Sequence, residues 1–115
     1  MKEAQFQKKV TNFLNAQPDI WYVKVWGGGY QRAGIPDILC CAKGHFIAIE
    51  LKSETGRTSK LQDYNLNRIS ESGGMTIVLR PSEFEAFKRF IREVTGKRGC
   101  RTDGEDPCCN CEYCR

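Results

Sequence analysis

The stretch Pro36-Asp37-Ile38-Leu39-Cys40-Cys41-Ala42-Lys43-Gly44-His45-Phe46-Ile47-Ala48-Ile49-Glu50-Leu51-Lys52 decides the fold. Two apolar runs, 36–42 and 45–52, meet at Lys43-Gly44, the pattern of two strands joined by a two-residue hairpin loop. With that loop, Ala42 faces His45 and Asp37 faces Glu50. Directly opposed residues have Cβ atoms about 4.5–5.5 Å apart. Two carboxylates that close repel each other, and Ile35, Ile38, Leu39, Phe46, Ile47, Ile49 and Leu51 make their surroundings apolar. Such a pair is costly unless a cation or a shared proton relieves it. Mg²⁺ is commonly held by one or two carboxylates. Strand alternation puts Lys52 on the face of Glu50 and turns Leu51 into the core. The same residues could instead form a structural Lys52–carboxylate ion pair at the end of a sheet.

Outward from the hairpin, Phe6, Val10, Phe13 and Leu14 repeat with helical period over 3–16, and Pro18-Asp19 ends that helix. Residues 20–26 are β-branched and aromatic, a strand, broken by Gly27-Gly28-Gly29 and a loop over 30–35. After a polar loop at 53–58, residues 59–72 read as a helix with Ser59 and Gln62 at capping-box spacing, closed by Gly73-Gly74. Met75 to Leu79 is a short strand. Pro81-Ser82 opens a last helix, with Ser82 and Glu85 as a second capping box and Phe84, Phe87, Ile91 and Val94 as its apolar face. The order α-β-β-β-α-β-α predicts an α/β fold, a mixed central sheet flanked by helices, over residues 1–95. Residues 96–115 form a Cys-rich C-terminal tail without Val, Ile, Leu, Met, Phe or Trp.

The 115 residues suit one domain. With 40% hydrophobic and 28% charged residues the chain is expected to fold. No apolar run is long enough to span a membrane, and the N-terminus lacks the form of a secretory signal. An intracellular protein with reduced thiols is the expectation. The formal net charge of +4 sits entirely in residues 1–95, since residues 96–115 balance to zero. That balance suits a polyanionic partner such as nucleic acid, and equally an ordinary basic surface.

Two acids and an ammonium on one face have roles in phosphodiester hydrolysis. The acids hold a metal ion, which polarises the phosphate and acidifies a water. The lysine positions or deprotonates that water and stabilises charge on the phosphorane. Pro36-Asp37 followed by Glu50-Leu51-Lys52 resembles the PD-(D/E)xK nuclease motif. Gly34, the run Lys52-Ser53-Glu54-Thr55-Gly56-Arg57-Thr58-Ser59, and Gln62 look like the stand-alone virus-type replication-repair nuclease (VRR-NUC) domain. The resemblance covers roughly residues 1–94 and is similar in outline to archaeal-type Holliday junction resolvases.

That resemblance implies a restriction-endonuclease-like core and a Mg²⁺- or Mn²⁺-dependent DNA endonuclease. Asp37 and Glu50 would be metal ligands, with the Leu51 carbonyl contributing, and Lys52 would be the catalytic lysine. Glu3 would match an acidic residue on the first helix, although a helix N-terminal acid has its own stabilising role there. Gln62 would match the family's glutamine and could cap its helix at the same time. The resemblance also implies branched DNA as substrate, a homodimer for two-site junction cleavage, and the cytoplasm of a bacterium or a phage-infected host, in DNA repair or recombination. A flap- or end-directed repair nuclease and a non-catalytic DNA-binding module are the alternatives.

Arg32 and Tyr30, in the loop before Pro36, and Arg57 and Lys60, flanking the start of the second helix, are candidate DNA contacts. Lys24 and Gln31 are weaker ones. His45, the sole histidine, reads as a turn residue, and Cys40 and Cys41 read as small buried residues. In the tail, Cys100, Cys108, Cys111 and Cys114, with Cys109 as an alternative ligand, have spacings that suit Zn²⁺. An iron–sulfur cluster and free thiols are the other readings.

Overall fold

A computed structural model describes residues 2–25 and 33–96. Helix α1 (Glu3–Asn15) leads into strands β1 (Ile20–Lys24), β2 (Ile38–Ala42) and β3 (His45–Leu51). Helix α2 (Lys60–Glu71), strand β4 (Met75–Leu79), a 3-10 turn (Pro81–Glu83) and helix α3 (Phe84–Val94) follow. The fold is α/β, with one four-stranded mixed sheet in the order β1-β2-β3-β4. β1, β2 and β3 run antiparallel in sequence, and α2 carries the chain across to β4, which lies parallel to β3.

Lys43 (φ 51°) and Gly44 (φ 87°) both occupy the left-handed region, as a two-residue turn matching the twist of its strands requires. Ala42 therefore pairs with His45, and Ile38 with Ile49. β2 begins at Ile38 rather than Pro36. Proline has no N–H to give a ladder, and Asp37 directs its carbonyl to the Val25 N–H at 2.8 Å.

Pleating sends Ile38, Cys40, Ala42, Ile47, Ile49 and Leu51 to one face, where α1 and α3 cover them with Phe6, Val10, Leu14, Phe84, Phe87 and Ile91. Edge-to-face contacts join Phe84 to Phe6 and to Phe13. On the other face α2 lies near β4 and the end of β3, and Trp21, Cys41 and Phe46, aligned across three strands, stay exposed. The expectation that both adjacent cysteines are buried is thus corrected. Alternation buries Cys40, whose thiol is pushed up to about 12 by burial and then by Cys41, and exposes Cys41.

The capping box at Ser59 and Gln62 forms reciprocally. The Ser59 Oγ accepts the Gln62 N–H at 3.1 Å, and the Gln62 Oε1 accepts the Ser59 N–H at 2.8 Å. The expected Ser82–Glu85 box does not form. Glu85 pairs with Lys88. Ser82 donates its N–H (2.7 Å) and hydroxyl (2.9 Å) to the Glu54 carboxylate. A carboxylate at a helix start satisfies orphan donors and complements the dipole. Together with the bond from Arg80 Nη2 to the Gly56 carbonyl at 2.7 Å, it pins the loop that follows Lys52. Glu54→Ala is expected to cost about 1 kcal/mol, the usual loss for a helix cap, measured by urea denaturation. An unchanged midpoint would show that the cap contributes nothing.

Candidate functional site

Asp37, Glu50, Lys52 and Gln62 come together where β2 starts and β3 ends. The paired register continues outward from Ile38 and Ile49, so the next opposed positions are Asp37 and Glu50. Asp37 Oδ2 accepts the Leu51 N–H at 2.8 Å, which holds its carboxylate across the hairpin. Glu50 is 3% exposed, and Leu51 beside it faces the core. Lys52 Nζ lies 3.3 Å from Glu50 Oε2. Gln62 Nε2 donates to the same oxygen at 2.9 Å.

The electrostatics follow from this placement. Burial, then the nearby Asp37 charge, pushes the Glu50 carboxyl up to about 7, against the opposing pull of Lys52. One ammonium therefore does not balance the pair. Asp37 Oδ2 is held by the Leu51 N–H, and Glu50 Oε2 by Gln62 and Lys52, while the two carboxylates also meet each other. Two hard oxygen donors fit Mg²⁺ or Mn²⁺. Among the described residues no cluster of three or more His, Cys, Asp or Glu side chains forms.

Gln62 forms the expected cap and touches Glu50 as well. Its Oε1 caps α2 while its Nε2 holds Glu50, so one side chain fixes the helix start relative to the acid. Glu3 is the exposed first residue of α1, and among the described residues no hydrogen bond or ion pair joins it to Asp37, Glu50 or Lys52. Lys60 is the exposed first residue of α2, and Arg57 is exposed in the loop before it. Lys24 is half-buried at the end of β1, and His45 is exposed beside the hairpin turn. Tyr30, Gln31, Arg32 and the cysteines Cys100, Cys108, Cys109, Cys111 and Cys114 lie outside the described residues.

Asn65 is the residue that sequence reasoning missed. It is 8% exposed, and its Nδ2 donates to the carbonyls of Gly34 (3.1 Å), Leu61 (3.1 Å) and Ala33 (3.4 Å). Through it α2 grips the turn that leads to Asp37. Gly34 (φ 79°) makes this approach with no side chain of its own; a Cβ there would stand 2.7 Å from Leu61 Cγ. The one sequence clue was an asparagine inside a helix one turn after Gln62.

Among the described residues no helix is long and apolar enough to cross a membrane. No protein-family model, curated protein or solved structure matches the chain.

Proposed function

We propose that this protein is a metal-dependent DNA endonuclease of the PD-(D/E)xK type, similar to VRR-NUC domains and Holliday junction resolvases, with a restriction-endonuclease-like core. The observation that carries this reading is the buried Glu50, opposed by Asp37 and held on one oxygen by both Lys52 and Gln62. The α-β-β-β-α-β-α order supports it, with the acids on the second and third strands.

Asp37, Glu50 and the Leu51 carbonyl would hold Mg²⁺ or Mn²⁺. When bound, such an ion polarises the scissile phosphate and makes a bound water more acidic. Lys52 places its ammonium beside the acids, where it would orient the attacking water and stabilise negative charge on the phosphorane. Gln62 keeps Glu50 in one rotamer, and Asn65 keeps the Asp37 approach against α2. Arg57 and Lys60, near the start of α2, provide phosphate contacts that fix orientation without reading sequence. Branched DNA is the proposed substrate, and a homodimer the form that cuts a junction on two strands.

A cleavage panel tests this reading. Linear duplex, single strand, flap and four-way junction are incubated with the full chain in Mg²⁺ and in Mn²⁺, with Lys52→Ala as control. Metal-dependent cleavage by the wild type, reduced at least about a hundredfold in Lys52→Ala, is the expected result, in keeping with the usual weight of a positioned acid or base. Symmetric nicking of the junction alone supports a dimeric resolvase, and cleavage of flaps or ends selects a repair nuclease. DNA binding without cleavage of any substrate would leave a binding module of the same fold.

A further inference from the structure

A groove of about 620 Å³ lies between the hairpin turn, α2 and the turn at 72–74. Its walls include Phe46, Tyr64, Arg68, His45, Asn65 and Ile35. Tyr64 is 56% exposed and Phe46 43%, so two aromatic rings stand largely outside the core at one cleft. Gly74 leaves the Phe46 ring its place, since a Cβ there would come within 3.0 Å of Phe46 Cδ2.

The charge of the cleft narrows its occupant. Among the described residues no aspartate or glutamate lines it, whereas Arg68 and His45 do. Arg68 pairs with Glu71 at 3.2 Å, but both side chains are more than half exposed. Such a surface pair is worth little and exchanges readily for another anion. Exposed aromatic rings beside an available guanidinium are what a single nucleic-acid strand requires, rings for its bases and a cation for its phosphates.

The groove is also continuous with the candidate site. Ile35 precedes Asp37 by two residues, and Asn65 follows Gln62 by three while holding the Gly34 carbonyl. We propose that the cleft binds unpaired nucleotides by stacking on Tyr64 and Phe46, so that the preferred DNA carries a single-stranded stretch beside the scissile phosphate. The choice of substrate rests on the nuclease reading; the strand-binding cleft does not. Stacking is tolerant of base identity.

Fluorescence anisotropy in EDTA, where metal-dependent cleavage is off, separates the two. The probes are a labelled short oligothymidylate and a labelled blunt duplex, each titrated with the full chain. Tyr64→Ala is expected to weaken oligothymidylate binding roughly 5- to 150-fold, the worth of one base–aromatic stack, with duplex binding unchanged. Phe46→Ala should act in the same direction, and Tyr64→Phe should bind as the wild type does. Circular dichroism confirms that the variants fold.

The proposal is overturned if the wild type does not bind oligothymidylate, or if Tyr64→Ala binds it equally well. It is overturned too if sedimentation shows a wild-type dimer that Tyr64→Ala converts to monomer, because a second copy then covers the cleft. Failure of the nuclease reading looks different: no Lys52-dependent cleavage, with Tyr64-dependent strand binding intact.

Discussion

Glu50→Gln is expected to stabilise the metal-free protein at pH 8, by about 1–3 kcal/mol, while abolishing cleavage. The sign follows from the acid's surroundings. Burial and Asp37 raise the folded-state carboxyl from 4.5 to about 7. The native state therefore binds the proton more tightly than the unfolded chain does. As pH rises from about 4.5 to about 7, native stability falls, and above that window the penalty is complete, on the order of 3 kcal/mol. Glutamine carries no charge, so the penalty disappears. It also keeps an oxygen for Gln62, while the lost partner for Lys52 offsets part of the gain. Thermal melts of both proteins in EDTA at pH 4.5 and pH 8 check this, with the difference vanishing at the lower pH.

Adding Mg²⁺ should narrow that difference. A ligand that binds only the native state at ten times its Kd adds about 1.4 kcal/mol, and the wild type should show such a rise while Glu50→Gln shows none. The outcome also decides between the two readings of Lys52. If Glu50→Gln is less stable than the wild type at pH 8 in EDTA, the Lys52–Glu50 pair is a structural ion pair. A buried pair broken on one side leaves an uncompensated charge, and its loss is strongly destabilising.

Much of this arrangement was legible because it depends on local rules. Lys43-Gly44 sets the hairpin register, and the register sets Asp37 opposite Glu50. The period of two then assigns Lys52 to the acid face. Ser59 and Gln62 announce the start of α2 by spacing alone. The parts that were not legible rely on contacts distant in sequence. Ser82 looks like its own cap, and only the folded loop brings Glu54 to it from twenty-eight residues away. Cys41 looks as apolar as Cys40, and among the described residues no helix covers that part of the sheet, so it stays exposed. Glu3 shares a helical face with Phe6 on paper, yet it lies at the exposed first turn of α1. Asn65 carries no periodic signal, because two of its three partners lie thirty-one and thirty-two residues away.

The Asn65 contact leads to the largest expected loss of stability. Gly34→Ala should lower the melting temperature by about 10–25 °C. Three effects act together at this position. The backbone φ of 79° is strained for alanine. The new Cβ would stand 2.7 Å from Leu61 Cγ and 3.0 Å from the Leu61 backbone carbon. It would also meet the Asn65 amide at 3.0 Å, the group that holds the Gly34 carbonyl. Strain and overpacking of this kind cost about 2–4 kcal/mol, and each kcal/mol moves the midpoint by about 4–8 °C in a domain of this size. Asn65→Ala isolates one part of that loss. It leaves φ and the close approach alone but removes the donor, at about 1–2 kcal/mol. The gap between the two variants then measures the cost of backbone and packing. Since the displaced turn runs directly into Pro36 and Asp37, both variants should also weaken Mg²⁺-induced stabilisation. A Gly34→Ala protein that melts within about 2 °C of the wild type and responds fully to Mg²⁺ would show that α2 does not position Asp37 through this turn.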